Sequence, residues 1–194
     1  MRLFSTQGYA TTSLAQVAKE AKVSKALIFW HFQNKELLFR DAVQRTLEPY
    51  LINVLGDFEG LDEDQQLRLL IEEYHVFVAK HPDSVKLVLG VLLHGDDGPN
   101  DLMPRMMELQ RVYRDLLADV LERGRRRGIF RDSIRPVLDA SVIMTALHGI
   151  LLQRLLGDET SDTAALFDRL RSTFVDPLRR PAVSTEQPDS QRRG

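Results

Sequence analysis

Two short helical patterns, joined by a turn at residues 22–24, constrain the fold of this chain more than any other feature. The first pattern follows Ser13, which forms a capping box with a glutamine three residues later. The second follows Ser24, a residue suited to an N-cap, and extends to about His31. We expect the two helices to cross at Ala18, because only a small side chain lets their backbones approach closely. The spacing predicts a helix-turn-helix.

The second helix of this motif should enter the major groove of DNA. Val23 and Ile28 are predicted to fill the cleft between the two helices, and Phe32 to pack in the core. Lys35 opens the next helix, where its ammonium and the backbone N–H groups could bind a phosphate. The residues predicted to contact DNA are Thr12, Ser13, Ser24, Lys25, Ala26, Leu27, Phe29, Trp30 and Lys35.

The charge distribution is uneven and favours the same interpretation. Residues 1–46 contain seven lysines and arginines and three acidic residues, a net charge of +4. Because the whole chain carries −2, the remainder carries −6. A basic segment attached to an acidic body indicates that the segment meets a polyanion.

Residues 3–43 resemble a known family through the segments LF…GY, TTSLAQVAKEAKVSK and FWHFQNKELL. They resemble the TetR (tetracycline repressor) family of bacterial regulators. The resemblance implies a homodimeric transcriptional regulator, most simply a repressor, that binds a palindromic operator and is released by a small-molecule effector. The matching residues are Phe4, Gly8, Tyr9, Thr12, Val17, Ala18, Val23, Ser24, His31, Phe32, Lys35 and Leu38.

Three residues depart from the family pattern. Lys22 stands where a glycine is usual, so a left-handed backbone there would cost about 1–2 kcal/mol. Phe29 stands where tyrosine is common and has no hydroxyl to donate to a phosphate. Leu27 replaces a small hydroxyl residue, so a base contact there should be apolar, as with a thymine methyl. The operator sequence therefore cannot be inferred from the family.

Apolar residues recur at helical spacing through most of the chain, which predicts an all-α protein. We predict a helix-turn-helix DNA-binding domain at 1–46, a helical effector-binding and dimerisation domain at 47–180, and a disordered tail at 181–194. The run 85–93 is apolar nearly all round and is interpreted as a buried helix rather than a strand. The helix from about 137 to 156 is apolar on two faces, which predicts a core on one side and a second subunit on the other. Leu151 is assigned to that dimer interface.

A small apolar or aromatic effector is expected to bind among the body helices, although core packing alone would explain each candidate residue. The pocket candidates are Tyr74, Met106, Met107, Tyr113, Met144 and His148. The alternatives are a helix-turn-helix protein that binds DNA without an effector and, more distantly, an enzyme of unknown type. An apolar compound that stabilises the protein against heat would favour the effector-regulated protein over the first alternative.

Other chemistries find little support in the sequence. The chain has no cysteine and none of the phosphate-loop, GxSxG or HExxH motifs, so we expect no catalytic residues, no metal and no cofactor. Two polar groups, 72–75 and 94–97, could suggest a metal site but are interpreted as solvated surface. The arginines at 125–127 are interpreted as cations at a helix C-terminus rather than a polyanion patch. With no signal peptide, and no uncharged run longer than 140–153, a cytoplasmic protein outside the membrane is expected.

The first helix is short in this sequence, since only residues 1–7 precede Gly8. Helices average roughly 11–12 residues, and shorter ones nucleate poorly. We therefore expect that the natural start lies upstream, making this helix truncated, or that the DNA-binding domain is labile and binds weakly; the alternative is a genuinely short first helix.

Overall fold

A computed structural model describes residues 2–54, 58–93, 102–156 and 162–181 of the chain. All regular structure in these ranges is helical, so the predicted all-α class is confirmed. The α-helices are α1 (Arg2–Thr11), α2 (Leu14–Glu20), α3 (Lys25–His31), α4 (Lys35–Val54), α5 (Glu63–Lys80), α6 (Pro82–Leu93), α7 (Leu102–Arg126), α8 (Pro136–Leu155) and α9 (Thr163–Leu170). A π-helical turn, Arg171–Val175, and a 3₁₀ turn, Asp176–Leu178, continue from α9.

Helices α1 to α4 form the N-terminal head. Gly8 interrupts α1 with φ of 80°, a conformation that costs glycine nothing, so the helix is kinked there. The predicted capping box at Ser13 and the N-cap at Ser24 are both present. The buried residues of the head core are Phe4, Ala18, Ile28, Leu38, Phe39, Ala42 and Val43, joined from the body by Leu87 and Met106.

The fit of α2 on α3 follows the prediction in part. Ala18 and Ile28 are buried between the two helices, and Phe32 packs against the head core. Val23 was wrongly assigned to the cleft, because the turn leaves more than a third of it exposed. Its backbone N–H instead donates to the carbonyl of Ala18 at 3.0 Å and closes the end of α2.

Helix α4 links the head to the body without a break. Asn34 caps it, because its side-chain oxygen accepts from the N–H of Leu37 at 2.8 Å. The predicted boundary at residue 46 lies inside α4, so one helix belongs to both predicted domains and the division stays a prediction. The predicted disordered tail lies almost entirely outside the described residues.

The body core forms between α5, α7, α8 and α9. Leu67, Ile71 and Val78 of α5 are fully enclosed, as the predicted helical stripe requires. Run 85–93 is confirmed as a helix, α6. Val85 and Leu89 belong to the body core, whereas Leu87, about 200° round the helix from Val85, belongs to the head core. Helix α6 is therefore a wall between the two cores.

One end of the body is closed by its C-terminal segment. The N–H of Arg131 donates to the carbonyl of Leu178, and the N–H of Arg180 donates to the carbonyl of Ile129, both at 2.9 Å. Phe130, whose backbone makes an isolated bridge to Arg179, is fully buried against α7. The segment after the last helical turn is thus attached to the loop that follows α7.

Buried carboxylates lie at the same end, where α5 begins. Glu63 is 2% exposed and accepts from Arg127 at 2.9 and 3.1 Å. Asp64 is 3% exposed and accepts from Arg68 at 2.9 Å, and Arg179 approaches it at 3.3 Å. The two acids join the start of α5 to the end of α7 and to the C-terminal segment.

Helix α8 has one buried and one exposed apolar face. Leu151 was wrongly assigned to a dimer interface, because it is 6% exposed and lies in the core of this subunit. The stretch Pro136–Arg154 is long and apolar enough to cross a membrane by length and composition alone, with mean hydropathy 1.4. A core helix of a globular protein passes the same test, and one face of this helix packs in the body core. The large apolar side chains exposed along it are Val137, Leu138, Val142, Leu152 and Leu156.

Candidate nucleic-acid interface and ligand cavity

Helix α3 presents one complete face to solvent. The Ser24 side chain accepts from the N–H of Leu27 at 3.1 Å and fixes the start of the helix, while Ile28 anchors the opposite face. Trp30 is 77% exposed, an unusual position for the largest apolar side chain. All six residues predicted to face DNA on or beside this helix are exposed: Ser24, Lys25, Ala26, Leu27, Phe29 and Trp30.

The exposed face of α3 is mostly apolar. The Trp30 ring meets His31 edge-on at 4.7 Å between centroids. The Lys25 ammonium lies 5.5 Å from the centre of the Phe29 ring. This arrangement offers one cation to the phosphates or bases and several apolar surfaces to thymine methyl groups and sugar edges.

Two neighbouring hydroxyl residues at the start of α2 have different surroundings. Ser13 is exposed and can reach a partner while it caps α2. Thr12 is 1% exposed, and its hydroxyl donates to the carbonyl of Gly8 at 2.7 Å. In this conformation Thr12 closes the kinked end of α1, and its contact with DNA stays a prediction.

Lys35 also differs from the prediction. Its ammonium was expected to face a phosphate, but it donates to the carbonyls of Tyr9 and Ala10 at 3.0 and 3.2 Å. The same nitrogen lies 4.2 Å from the centre of the Tyr9 ring. The charge sits at the C-terminal end of α1, where cations are favoured. Lys35 thus ties α4 to α1 in this conformation, and its contact with a phosphate stays a prediction.

A cavity of about 920 Å³ lies between α5, α6, α7 and α8. The structure brings together all six residues predicted to line a pocket. Tyr74 comes from α5, Met144 and His148 come from α8, and the other three come from α7. Met107 lies at the rim, with 64% of its surface exposed. The predicted cavity residues are Tyr74, Met106, Met107, Tyr113, Met144 and His148.

Sequence reasoning missed other lining residues, above all on α6. Val85 and Leu89 line the cavity. Because they belong to a continuous apolar run, the sequence predicted only that they are buried. Leu109 lies three residues after Met106 on the same helix face, and that spacing could have identified it. Further lining residues that were not predicted include Phe77, Ser141, Thr145, Leu151 and Leu152.

Burial keeps two polar rings of the cavity neutral. Desolvation raises the pKa of the Tyr74 hydroxyl far above its ordinary value, and the nearby Tyr113 adds to the rise. Desolvation lowers the pKa of the His148 imidazole. Both groups are thus uncharged near neutral pH, and the cavity interior is apolar with neutral polar points.

Within the described parts of the chain, no group of three or more metal-ligating side chains comes together. His75 stacks on the buried Phe167 at 4.3 Å, so the interpretation of residues 72–75 as solvated surface is wrong for this residue. The residues at 94–97 lie outside the described ranges. The arginines at 125–127 make ion pairs with Glu122 and Glu63, so their charges are used within the body.

Two family models match the chain. Residues 1–42 match the model described as bacterial regulatory proteins, tetR family. Residues 64–174 match the model described as tetracyclin repressor-like, C-terminal domain. The chain belongs to the TetR family. The predicted family is confirmed, and the head described above is the DNA-binding part of a TetR-family transcriptional regulator.

Similar proteins agree with the TetR assignment. The HTH-type transcriptional repressor KstR2 of Rhodococcus jostii (strain RHA1) is 27% identical over 176 residues, covering 84% of this chain and 80% of KstR2. The HTH-type transcriptional regulator HbdR of Aromatoleum sp. (strain CIB) is 40% identical over 60 residues. That match covers 31% of this chain and 26% of HbdR.

A solved structure extends the likeness to the body. A regulator from Saccharomonospora viridis, described as putative and in complex with choline, superposes with a TM-score of 0.77 over 93% of each chain. The sequence identity is 19%, so this likeness shows the shared fold alone. The TetR body fold therefore covers the helices that surround the cavity.

Proposed function

We propose that this TetR-family regulator represses transcription as a homodimer on a roughly palindromic operator, and that an apolar effector in the cavity releases it. The main support is that α6 and Met106 separate the cavity from the head core. Val85 and Leu89 line the cavity, whereas Leu87 packs in the head core. Met106, at 3% exposed, belongs to both. A ligand that moves this wall also moves the head.

The effector must bind one state of the head more tightly than the other to change DNA affinity. Helix α6 gives this coupling a physical route, because one of its sides packs in the body core and another packs in the head core. A ligand that displaces Leu89 or Met106 displaces Leu87 against the buried side of α4. The separation of the two heads in a dimer would then no longer match two half-sites about 34–36 Å apart.

The exposed apolar face of α8 supports the dimer. Leu138 is 53% and Val142 39% exposed, one turn apart on one side of the helix. Phe174, 38% exposed, offers an apolar group after α9. Apolar side chains clustered at a surface mark an interaction site, and a second copy of the same face would cover them. Two copies of α8 and α9 would make a four-helix interface.

DNA contact is assigned to Ser13, to Ser24 and to the exposed face of α3. Lys25 would supply the charged contact, and the apolar residues Leu27, Phe29 and Trp30 the groove contacts. We assign no catalytic role to the protein and place it in the cytoplasm, where a DNA-binding regulator meets its operator.

Footprinting on operators selected from random DNA tests this function. We expect protection of two half-sites, lost when an apolar compound saturates the cavity. Protection that no compound changes would favour an effector-independent DNA-binding protein. A single protected half-site would contradict the dimer, and turnover in a broad substrate panel would contradict the absence of catalysis.

Leu87→Val tests the route of coupling. The variant removes one methylene from the head side of α6 and leaves the cavity lining unchanged, so effector affinity for the free protein should stay within about twofold. The factor by which effector lowers operator affinity should fall several-fold from a typical value of about 5–150. Val112→Ala, on the exposed side of α7, is the matched control. Unchanged coupling in Leu87→Val would exclude this route.

A further inference from the structure

The charged residues that line the cavity lie together on α7. Arg111 and Glu108 form an ion pair with each other, and more than half of each side chain is exposed. Arg114 pairs with Asp115 at 2.7 Å. In the described part of the lining, charge is thus confined to a partly exposed rim and is already paired. A charged ligand group in the interior would have no opposite charge to meet.

Three hydroxyl groups that line the cavity donate hydrogen bonds to carbonyl groups of the protein itself. The Tyr113 hydroxyl donates to the carbonyl of Leu70 at 2.7 Å. The Ser141 hydroxyl donates to Val137, and the Thr145 hydroxyl donates to Ser141, at 2.7 and 2.9 Å. These groups can still accept a hydrogen bond but have no free donor. They therefore do not favour a ligand group that needs a hydrogen-bond donor from the cavity lining.

His148 differs from these hydroxyls. No side chain or backbone group in the described ranges hydrogen-bonds to its imidazole, although the ring lines the cavity and is half-buried. The neutral ring offers one N–H donor and one acceptor nitrogen. Gln110 is a second polar lining residue with no side-chain hydrogen bond within the described ranges, and it lies on α7 beside the charged rim.

We propose that the cavity takes an uncharged, mainly hydrocarbon molecule whose single oxygen function hydrogen-bonds to His148. A long-chain alcohol, or a fused-ring alcohol or ketone, fits this description. The inference names the ligand class of the effector site and rests on the function proposed above. A volume of about 920 Å³ is near the upper end of the ordinary range for ligand sites, about 300–1,000 Å³. An ionised group would leave a buried charge unpaired, whereas one hydroxyl or ketone is satisfied by one imidazole.

Titration calorimetry with three ligands that share one chain tests the class. The probes are 1-decanol, decanoate and decylammonium, added to the full-length protein at pH 7.5. We expect 1-decanol to bind at least about tenfold more tightly than either ion. Tighter decanoate binding that Arg111→Ala abolishes would overturn the proposal in favour of an acid bound at the rim. Tighter decylammonium binding would overturn it in favour of a cation held by the aromatic rings.

His148→Phe tests the named contact. The variant keeps an aromatic ring, somewhat larger than the imidazole, and loses the hydrogen bond, so 1-decanol should bind about tenfold more weakly, which is about 1.4 kcal/mol. Gln153→Leu, at an exposed polar residue of α8 outside the cavity lining, is the control and should leave binding unchanged. Full affinity in a folded His148→Phe protein would overturn the assignment.

A measurement on the unchanged protein covers the case in which the variant does not fold. Of the five histidines, the C2–H proton resonance of His148 should move most on saturation with 1-decanol. No movement would overturn the proposal. Operator binding, measured in the same samples, separates the two ideas. Decanol binding that depends on His148 but does not release operator would contradict the effector function and keep the ligand class. Release by ligands that are indifferent to His148 would contradict the ligand class alone.

Discussion

Lys22 holds a backbone conformation that side chains rarely adopt. Its φ is 56° at the turn between α2 and α3, and within the described ranges the other positive φ values belong to glycines. Its N–H donates to the carbonyl of Lys19 at 3.2 Å, which helps to end α2. The left-handed region costs a residue with a β carbon about 1–2 kcal/mol. The head therefore carries local strain at the turn that positions α3.

Lys22→Gly should stabilise the head by about 1 kcal/mol, because relief of the strain exceeds the extra entropy of an unfolded glycine. Native-state hydrogen exchange of the α2 and α3 amides measures this directly. Lys22→Ala is the matched control, since it removes the charge and keeps the β carbon. Equal slowing of exchange in both variants would attribute the effect to the charge and not to the backbone.

Lys35→Met should destabilise the DNA-free head by about 1–2 kcal/mol. The variant keeps the aliphatic stem and removes the hydrogen bonds to Tyr9 and Ala10 and the contact with the Tyr9 ring. Urea unfolding followed by Trp30 fluorescence reports on the head. Lys25→Met, on the exposed face of α3, is the control and should leave stability unchanged. A Lys35 variant of normal stability that bound DNA weakly would restore the phosphate role predicted from sequence.

These residues show what a sequence reveals at this scale. Ser13 and Ser24 were identified as caps because their spacing from the following helix residues fixes their hydrogen bonds. The surroundings of Thr12 and Lys35 depend on the kink at Gly8 and on the approach of α1 to α4. Such contacts between distant segments leave no local pattern, so the direction of these two side chains could not be predicted.

At the scale of elements, α7 and the loop after it pack closely at Gly124. A β carbon added at Gly124 would overlap the ring of Phe130, which is fully buried. Glycine at this position lets the loop fold back against the last turns of α7. The hydrogen bonds of Arg131 and Arg180 then become possible on the same loop.

Gly124→Ala should cost about 1–3 kcal/mol or more, the usual range for overpacking in a core. Gly90→Ala is the matched control, because a β carbon in the middle of α6 meets nothing within 4 Å. It should stabilise the protein by about 0.5–1 kcal/mol through helix propensity alone. Urea unfolding followed by circular dichroism compares the two, and similar values would contradict the close packing at Phe130.

The positions of the helices along the chain could be predicted better than the side of each helix that faces the core. Apolar spacing identified the run 85–93 that lies in α6 and the helix from about 137 to 156 that corresponds to α8. A helix that is apolar on two sides has no periodicity to show which side meets the core, so Leu151 was assigned to the wrong side. The π-helical turn at Arg171–Val175 also has no sequence pattern that would have predicted it. The cavity candidates other than Met107 came together because they lie on the inner stripes of α5, α7 and α8, whereas Met107 is an exposed neighbour of Met106 at the rim.

At the scale of the whole molecule, the exposed face of α8 should decide the oligomeric state. Leu138→Glu places a charge on a side chain that is 53% exposed in one subunit, so the fold should persist. In a dimer the same charge would be buried and unpaired, at a cost of several kcal/mol. We expect sedimentation to show monomers and operator affinity to fall steeply. Val112→Glu, exposed on α7, is the control, and a dimer that survives Leu138→Glu would exclude this interface.

The ion pair between Glu63 and Arg127 attaches the C-terminal end of α7 to the start of α5. Arg127 and Glu63 hold that end, while about 20 residues and 30 Å away Met106 touches the cavity and the head core. A ligand that pushes on α7 should therefore move the end that carries Met106 more than the end attached to α5. Glu63→Gln should weaken this ion pair and reduce the effect of ligand on operator affinity several-fold, although Glu63 belongs neither to the cavity nor to the DNA-binding face. Anisotropy titrations of labelled operator with and without ligand would show this, with Glu59→Gln, an exposed acid nearby, as the control.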